Sequence, residues 1–235
     1  MLMPNIVVPT DMQEVVVPEM VYKDLRRPDY GAKVSLSLAR YDDGTFAGGL
    51  TQKQAIQALD ELGFQLPPLS LLQYLAEQEG MDSPVFDDGF GRNPEKTYFY
   101  DHTTTKLVTP AGWEPERMDG GKYPRDVYEY IDRKWVQVAE DQRIPGENSI
   151  GFLRIKEVNP ITRIPSETTD SDAEYLGYWY FSPQLSESIV LVGTSTYVNS
   201  SRGCLYINAA NDPSVVDKFV GFRFVSGVIP PVVKI

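Results

Sequence analysis

The sequence has very little cysteine and histidine: Cys204 and His102 are single occurrences. One cysteine cannot form a disulfide within the chain, so the fold does not depend on an oxidising compartment. A zinc site built from cysteine and histidine needs more ligands than these two residues supply. A catalytic pair of Cys204 and His102 is conceivable, although a lone thiol in an apolar strand belongs more often to the core.

Basic clusters and long apolar runs are also missing. The chain has 22 Lys and Arg against 33 Asp and Glu, a net charge of −11. Nucleic-acid binding depends on clustered Lys and Arg, so we exclude nucleic acid as a partner. No apolar run approaches the ~20 residues that span a bilayer, and the N-terminus lacks the pattern of a signal peptide. We expect no membrane insertion and a cytoplasmic location at synthesis.

The sequence does contain enough apolar material for a sizeable core. Hydrophobic residues make up 42% of the 235 residues, and aromatic residues make up 11%. This length and composition suit a single α+β domain. Tyrosine is the commonest aromatic residue, with 14 occurrences. A buried tyrosine hydroxyl needs a partner, so we expect many of these rings at surfaces or grooves.

Residues 1–30 combine prolines with short β-branched runs at 6–8 and 15–17. Prolines at this density prevent a long helix and favour short extended pieces. We interpret residues 1–30 as an extended N-terminal arm through which the protein could oligomerise, and residues 31–235 as the ligand-binding domain. An ordinary first pair of strands is the alternative interpretation.

Two short helices are the best-specified local structures. Thr51 and Gln54 form a capping box, and Gly63 closes the first helix. The second helix follows two prolines, and Ser70 with Gln73 is predicted to cap it.

The remaining segments favour strands and loops. Alternation over 33–41 predicts a strand, and two hairpins are predicted from 97–100 with 106–109 and from 127–131 with 135–138. A further strand is predicted over 149–158. Central strands are predicted at 175–181, 188–192, 204–207 and 220–225, and we expect them to form one antiparallel sheet, with a turn around Pro183 joining the first two.

Two stretches carry a resemblance to a known family. Residues 63–76, GFQLPPLSLLQYLA, resemble the second-helix signature of the formylglycine-generating-enzyme type of C-type lectin fold. The matching residues are Leu66, Pro67, Tyr74 and Ala76, and Leu72 stands where tryptophan is usual. Residues 211–213 and 221–223 resemble the segment before the family's closing strand and that strand itself. The resemblance covers roughly 34–80 and 175–225, and it implies two short helices, antiparallel sheets and long loops.

Catalytic relatives in this family use ligands that the chain does not offer. The formylglycine-forming enzymes hold copper with a pair of cysteines, and the sulfoxide-forming relatives hold iron with several histidines. The calcium motifs of sugar-binding C-type lectins are poorly matched by residues 114–116. We therefore expect no catalytic residues, no metal site and no cofactor. The alternative is an enzyme of this superfamily with altered or lost chemistry.

The remaining resemblance is to the variable proteins of diversity-generating retroelements, which occur in phages, other viruses and some cells. Their hypervariable segment precedes the closing Gly-Phe-Arg strand, which corresponds here to about 190–223. The resemblance implies a non-catalytic receptor-recognition protein whose partner is a protein or glycan on a target surface, with a place on the virion surface. The implied ligand-binding residues are Val190, Val192, Thr194, Thr196, Tyr197, Val198, Asn199, Ser200, Tyr206, Asn208, Asn211, Val215, Val216, Asp217 and Phe219.

A physical requirement accompanies this hypothesis. A surface that tolerates arbitrary side chains needs a core and backbone hydrogen bonds that do not depend on them. We expect framework residues to face inward and exchangeable residues to face outward. The alternatives are that these are ordinary edge-strand and turn residues, or that the chain is a structural particle protein.

Overall fold

The computed structural model of the chain describes residues 5–79, 100–146, 152–171, 176–193 and 205–235. Strands account for most of the regular structure, and two short helices accompany them, so the chain is a mixed α+β protein.

The elements follow one another in three groups. The first strands are β1 (Ile6–Val7), β2 (Met12–Val17), β3 (Met20–Tyr22), β4 (Leu25–Arg27), β5 (Tyr30–Ser35) and β6 (Arg40–Tyr41). Next come α1 (Gln52–Leu62), α2 (Leu69–Glu79), β7 (Tyr100–Val108), β8 (Lys122–Ile131), β9 (Lys134–Pro145), β10 (Phe152–Val158) and β11 (Pro165–Thr168). The last group is β12 (Gly177–Phe181), β13 (Glu187–Gly193), β14 (Leu205–Asn211), β15 (Val220–Gly221), β16 (Val225–Ser226) and β17 (Val233–Lys234).

A nine-stranded sheet forms the centre of the molecule, with the order β11-β10-β12-β14-β13-β7-β8-β9 and β15 beside β7. The prediction of a purely antiparallel sheet is wrong. Strands β12 and β14 run parallel, and so do β15 and β7. Strand β14 lies between β12 and β13, so the two predicted neighbours are not paired with each other.

The outcome differs between the two predicted hairpins. Residues 100–108 form the single strand β7, so the first hairpin is wrong, and residues 97–99 lie outside the described residues. The second hairpin is confirmed as β8–β9. Its turn residues Asp132 and Arg133 have φ angles of 49° and 60°, the left-handed pair that a two-residue turn requires. The strand predicted over 149–158 is found as β10, and residues 149–151 are not described.

The N-terminal segment belongs to the domain rather than to a free arm. Strand β2 pairs with β5 along its whole length, and Val15 and Val17 are buried. Strands β3 and β4 form a hairpin that β17 joins. Since β1 also pairs with β6, the alternative of ordinary strands replaces the predicted arm from residue 6 onward. The strand predicted over 33–41 is interrupted, because residues 36–39 separate β5 from β6.

The signals predicted for both ends of α1 are confirmed, and α2 begins directly after the two prolines. Thr51 and Gln54 make the predicted capping box, and Gly63 ends α1 with a φ of 78°. The predicted cap at Ser70 is wrong because α2 already begins at Leu69. The Ser70 hydroxyl instead accepts a hydrogen bond of 2.8 Å from the Arg27 guanidinium.

Two hydrophobic clusters hold these layers together. The main core lies between the inner face of the central sheet, α2 and the β2–β5 sheet, and its largest member is the fully buried Trp179. The second cluster joins α1 to Phe222 and Phe224. We call the opposite face of the central sheet, away from the main core, the outer face.

The Gly-Phe-Arg segment is anchored by a buried charge. Arg223 is fully buried, and its Nε lies 2.8 Å from Oδ2 of the equally buried Asp101 on β7. The same guanidinium donates to the carbonyls of Ser35 and Leu36. The segment therefore ties the N-terminal sheet to the central sheet and fixes the chain at the C-terminal end of the predicted variable region.

Candidate functional site

The outer face of strands β12 and β14, with the loop that follows β14, is the candidate ligand surface. Along β14, Ile207 and Ala209 belong to the main core, whereas Asn208 and Ala210 on the other face are half-buried. Strand β12 alternates in the same way, with Tyr180 half-buried on the outer face. Successive side chains of a strand point to opposite faces, so the strand separates core-forming residues from displayed ones.

Tyrosine rings cover one end of this face. Tyr178 lies beside Tyr206 in register, and Gly193 lies between Tyr206 and Tyr100. Glycine has no side chain, so the rings of Tyr100 and Tyr206 meet across β13, with centroids 5.7 Å apart. Burial raises the pKa of Tyr206, and the neighbouring Tyr100 and Tyr180 raise it further. Its hydroxyl therefore stays protonated throughout the physiological pH range.

Asn208 and Asn211 form a polar pair at the other end of β14. Both are half-buried, and the Asn208 side-chain oxygen accepts hydrogen bonds from Asn211 Nδ2 at 3.1 Å and from the Ala210 amide at 2.9 Å. The β13–β14 register shifts at this point. The pair shapes the local backbone and leaves amide groups at the surface edge.

The loop over residues 212–219 is held by local hydrogen bonds. Asp212 accepts from the Ser214 amide and hydroxyl, and these bonds lower the pKa of the Asp212 carboxyl. Asp217 accepts from the Phe219 amide at 2.9 Å. Between these two turns, Val216 is 61% exposed. The side chains of Asp212 and Asp217 thus hold two turns, and the side chain of Val216 between them takes no part in holding the backbone.

The prediction of ligand binding is wrong for three residues, because they are buried. Val190 and Val192 have no exposed surface, because they lie on the inner face of β13 and pack in the main core. Tyr206 is only 8% exposed, and its ring packs on Tyr100. All three belong to the framework and not to the surface available to a ligand.

The other predicted residues fall into two groups. Thr194, Thr196, Tyr197, Val198, Asn199 and Ser200 lie outside the described residues. The second group, all exposed or half-buried, is Asn208, Asn211, Val215, Val216, Asp217 and Phe219. Within it, Val215 packs against the small cluster of Ile189, Leu191 and Val220. The members of this second group lie on β14 and in the loop after it, which runs from Asn211 beside Ile189 to Phe219 beside Tyr100.

Sequence reasoning missed three tyrosines of this face: Tyr100, Tyr178 and Tyr180. The signal was present in the alternation of residues 177–181, GYWYF, where Trp179 and Phe181 are buried and the tyrosines between them are half-buried. A period-two interpretation of that run would have placed Tyr178 and Tyr180 together.

His102 lies in the interior. It is fully buried, and its Nε2 lies 2.9 Å from the Leu50 carbonyl oxygen. Burial lowers the pKa of His102 to about 4, although the hydrogen bond to Leu50 opposes the shift. Cys204, the other member of the conceivable catalytic pair, is outside the described residues.

The described residues contain neither a metal-binding cluster nor a membrane-spanning helix. Within them, no group of three or more His, Cys, Asp or Glu side chains is arranged to hold a metal ion. Neither α1 nor α2 has the length and apolar character that crossing a membrane demands. Comparisons with protein-family models, with curated proteins and with solved structures return no match to this chain.

Proposed function

We propose that this chain is a non-catalytic ligand-binding protein of the kind diversified by retroelements, built on a C-type lectin scaffold. Its binding surface is the outer face of β12 and β14 together with loop 212–219. The ligand is a protein or a glycan on a target surface. In a phage or another virus, the protein would act in receptor recognition at the virion surface.

The observation that carries the proposal is that core-forming and outward-facing side chains alternate along β14. Ile207 and Ala209 are fully buried in the main core, whereas Asn208 between them faces outward and is half-buried. Replacing an outward side chain therefore leaves the apolar packing below it unchanged. This is the property that a diversified binding surface requires.

The composition of the outer face also supports recognition. Tyr178, Tyr180 and Asn208 combine apolar contact area with hydrogen-bonding groups. Antibody loops are enriched in tyrosine and asparagine for the same reason, since tyrosine offers contact area at low entropic cost and asparagine offers adaptable hydrogen bonds.

The framework around the surface favours the same function. Phe222 and Arg223 are fully buried directly after the displayed loop. They fix the position of residues 212–219 through the core and through the Asp101 ion pair, so changes in the loop are confined between two anchored segments.

A display library tests this function. Asn208, Asn211, Val216 and Asp217 would be randomised together, and the library selected on unrelated proteins and glycans. We expect folded clones that bind different targets through different side chains. A library that yields only unfolded clones, or no binders at all, would contradict the proposal.

The gene's surroundings give a separate test of the diversification mechanism. We expect a near-copy of the DNA encoding residues 190–223 close to the gene, differing where the copy has adenine, and a reverse-transcriptase gene beside it. Sequencing of the flanking DNA that reveals neither feature would remove the retroelement part of the proposal and leave the binding part to the library.

A further inference from the structure

A groove beside the surface formed by β12, β14 and loop 212–219 has the features of a second binding site. It lies between α1 and the β8–β9 hairpin and has a volume of about 780 Å³. This volume lies within the ~300–1,000 Å³ range of small-molecule sites. Those of the predicted variable residues that the structure describes do not line it, although Pro213 of loop 212–219 lies at its edge.

One wall of the groove is aromatic and exposed. Trp135 is 36% exposed near the tip of the β8–β9 hairpin, and the Tyr130 ring packs against it edge-on at 5.5 Å. The Lys106 ammonium lies 4.4 Å from the centroid of the Trp135 ring and 2.9 Å from Glu187. The tryptophan is therefore held in position while a large part of it remains in contact with water.

Polar groups line the wall opposite. The Tyr130 hydroxyl donates to Asp60 at 3.0 Å, which fixes that carboxylate at the groove. Gln57 and Glu61 lie one turn apart on α1 and are hydrogen-bonded to each other at 3.2 Å. The groove thus presents acceptor and donor groups beside an aromatic ring.

The charges around the groove balance. The lining residues include three carboxylates and three cations: Asp60, Glu61, Glu187, Lys53, Lys106 and Arg133. The whole chain carries −11, so this local balance departs from the rest of the surface. A site without net charge gives no advantage to an ionic ligand, and its mixed donors and acceptors suit hydroxyl groups, which both donate and accept.

We propose that this groove binds a neutral oligosaccharide. The apolar C–H face of a pyranose ring packs on the exposed part of Trp135, and its hydroxyls bond to Asp60 and neighbouring polar groups. The site is built from framework residues, so its sugar preference stays constant while the outer face changes. The protein would then combine a fixed glycan contact with a variable one beside it.

Titration with defined sugars tests the proposal. The full chain would be titrated with a panel of neutral tri- and tetrasaccharides of glucose, mannose, galactose and N-acetylglucosamine, followed by tryptophan fluorescence and calorimetry. We expect at least one member to bind with an affinity that salt does not alter, because no ion pair is involved. Absence of binding across the panel, or binding only of charged peptides in a parallel set, would overturn the proposal.

Matched variants locate the site. Trp135→Ala should weaken binding about tenfold or more, as removal of an aromatic anchor does, and Trp135→Phe should retain part of the affinity. Trp113, which lies outside the groove, supplies the control Trp113→Ala, which should bind like the unaltered chain. Asp60→Asn should weaken binding several-fold while its thermal unfolding stays close to that of the parent.

The proposal for the groove and the proposal for the surface on β12 and β14 can be refuted independently. Variants at Asn208 and Val216 should keep the sugar affinity within twofold, because neither residue lines the groove. Equal affinity in the parent and in both Trp135 variants would place the sugar elsewhere and refute the groove. That result would not affect the display library, which tests the outer face alone.

Discussion

Burial of a single titratable side chain determines how the stability of the protein depends on pH, and His102 is the clearest case. It carries the only imidazole of the chain and is fully enclosed. A neutral ring suits that interior, and protonation there would place a charge without access to water.

The first prediction concerns pH. The folded-state pKa of His102 is lowered to about 4 from 6.5, so between these values the unfolded chain binds a proton that the folded chain does not. Stability attributable to His102 should therefore be fully present above pH 6.5 and fall as the pH drops towards 4, by at most about 3 kcal/mol. Urea unfolding at several pH values measures this. His102→Gln should show a shallower loss, and equal slopes for the two proteins would contradict the assignment.

The second prediction compares two phenylalanines in the same segment. Phe222 is fully buried in the cluster around α1, so Phe222→Ala should cost about 3–5 kcal/mol of unfolding free energy. Phe219 is half-buried at the surface, and Phe219→Ala should cost clearly less. Chemical denaturation of both variants provides the comparison, and a larger loss at Phe219 would show that the framework has been assigned to the wrong residues.

At the scale of elements, a buried ion pair joins three parts of the fold. Arg27 on β4 lies 2.5 Å from Glu129 on β8, and both side chains are fully buried. The same guanidinium donates to Ser70 on α2. Strand β4 is thereby connected to the helix layer and to the central sheet.

The third prediction uses adjacent arginines as a matched pair. Arg27→Met leaves Glu129 buried without its cation and should cost about 3–5 kcal/mol. Arg26 forms an ion pair with Glu19 near the surface, where both side chains are more than 40% exposed. Arg26→Met should cost less than about 1 kcal/mol. Thermal unfolding of the two variants would contradict this account if their losses were the same.

The same elements show what the sequence could reveal. The caps of α1 and the β8–β9 turn are specified by nearby residues, so Thr51, Gln54 and Gly63 were placed correctly. Strand neighbours depend on distant contacts, and nothing local indicated that β14 separates β12 from β13. The residues around Ser70 are typical of a helix cap. Its hydroxyl bonds instead to Arg27, which lies 43 positions away, so neighbouring residues could not indicate this contact.

The candidate site was predictable to a similar extent. Asn208 and Val216 were placed at the surface from their polar or mismatched character. Val190 and Val192 were misplaced because a buried central strand is apolar without interruption, and its inner positions cannot be told from outer ones without knowing the pairing. The tyrosines of β7 and β12 come from remote segments, and only the register brings them to β14.

At the scale of the whole molecule, we propose a protein with a fixed interior and a changeable surface. The central sheet supplies both, because its inner face closes the main core and its outer face carries Tyr178, Tyr180 and Asn208. The buried Arg223 anchors the chain that follows loop 212–219. On this account, recognition can change without changing the fold.

The fourth prediction applies that statement to the whole chain. One library would randomise the outward residues Asn208, Asn211 and Val216, and a second would randomise the inward residues Val190, Val192 and Ile207. Stability of every clone would be measured by resistance to proteolysis. Substitutions of Val216 should change the unfolding free energy by about ±0.5 kcal/mol, and those of Asn208 and Asn211 by about 1 kcal/mol because hydrogen bonds are lost. Single large-to-small changes of inward residues should cost about 0.5–5 kcal/mol. Similar losses in the two libraries would contradict the separation of folding from recognition.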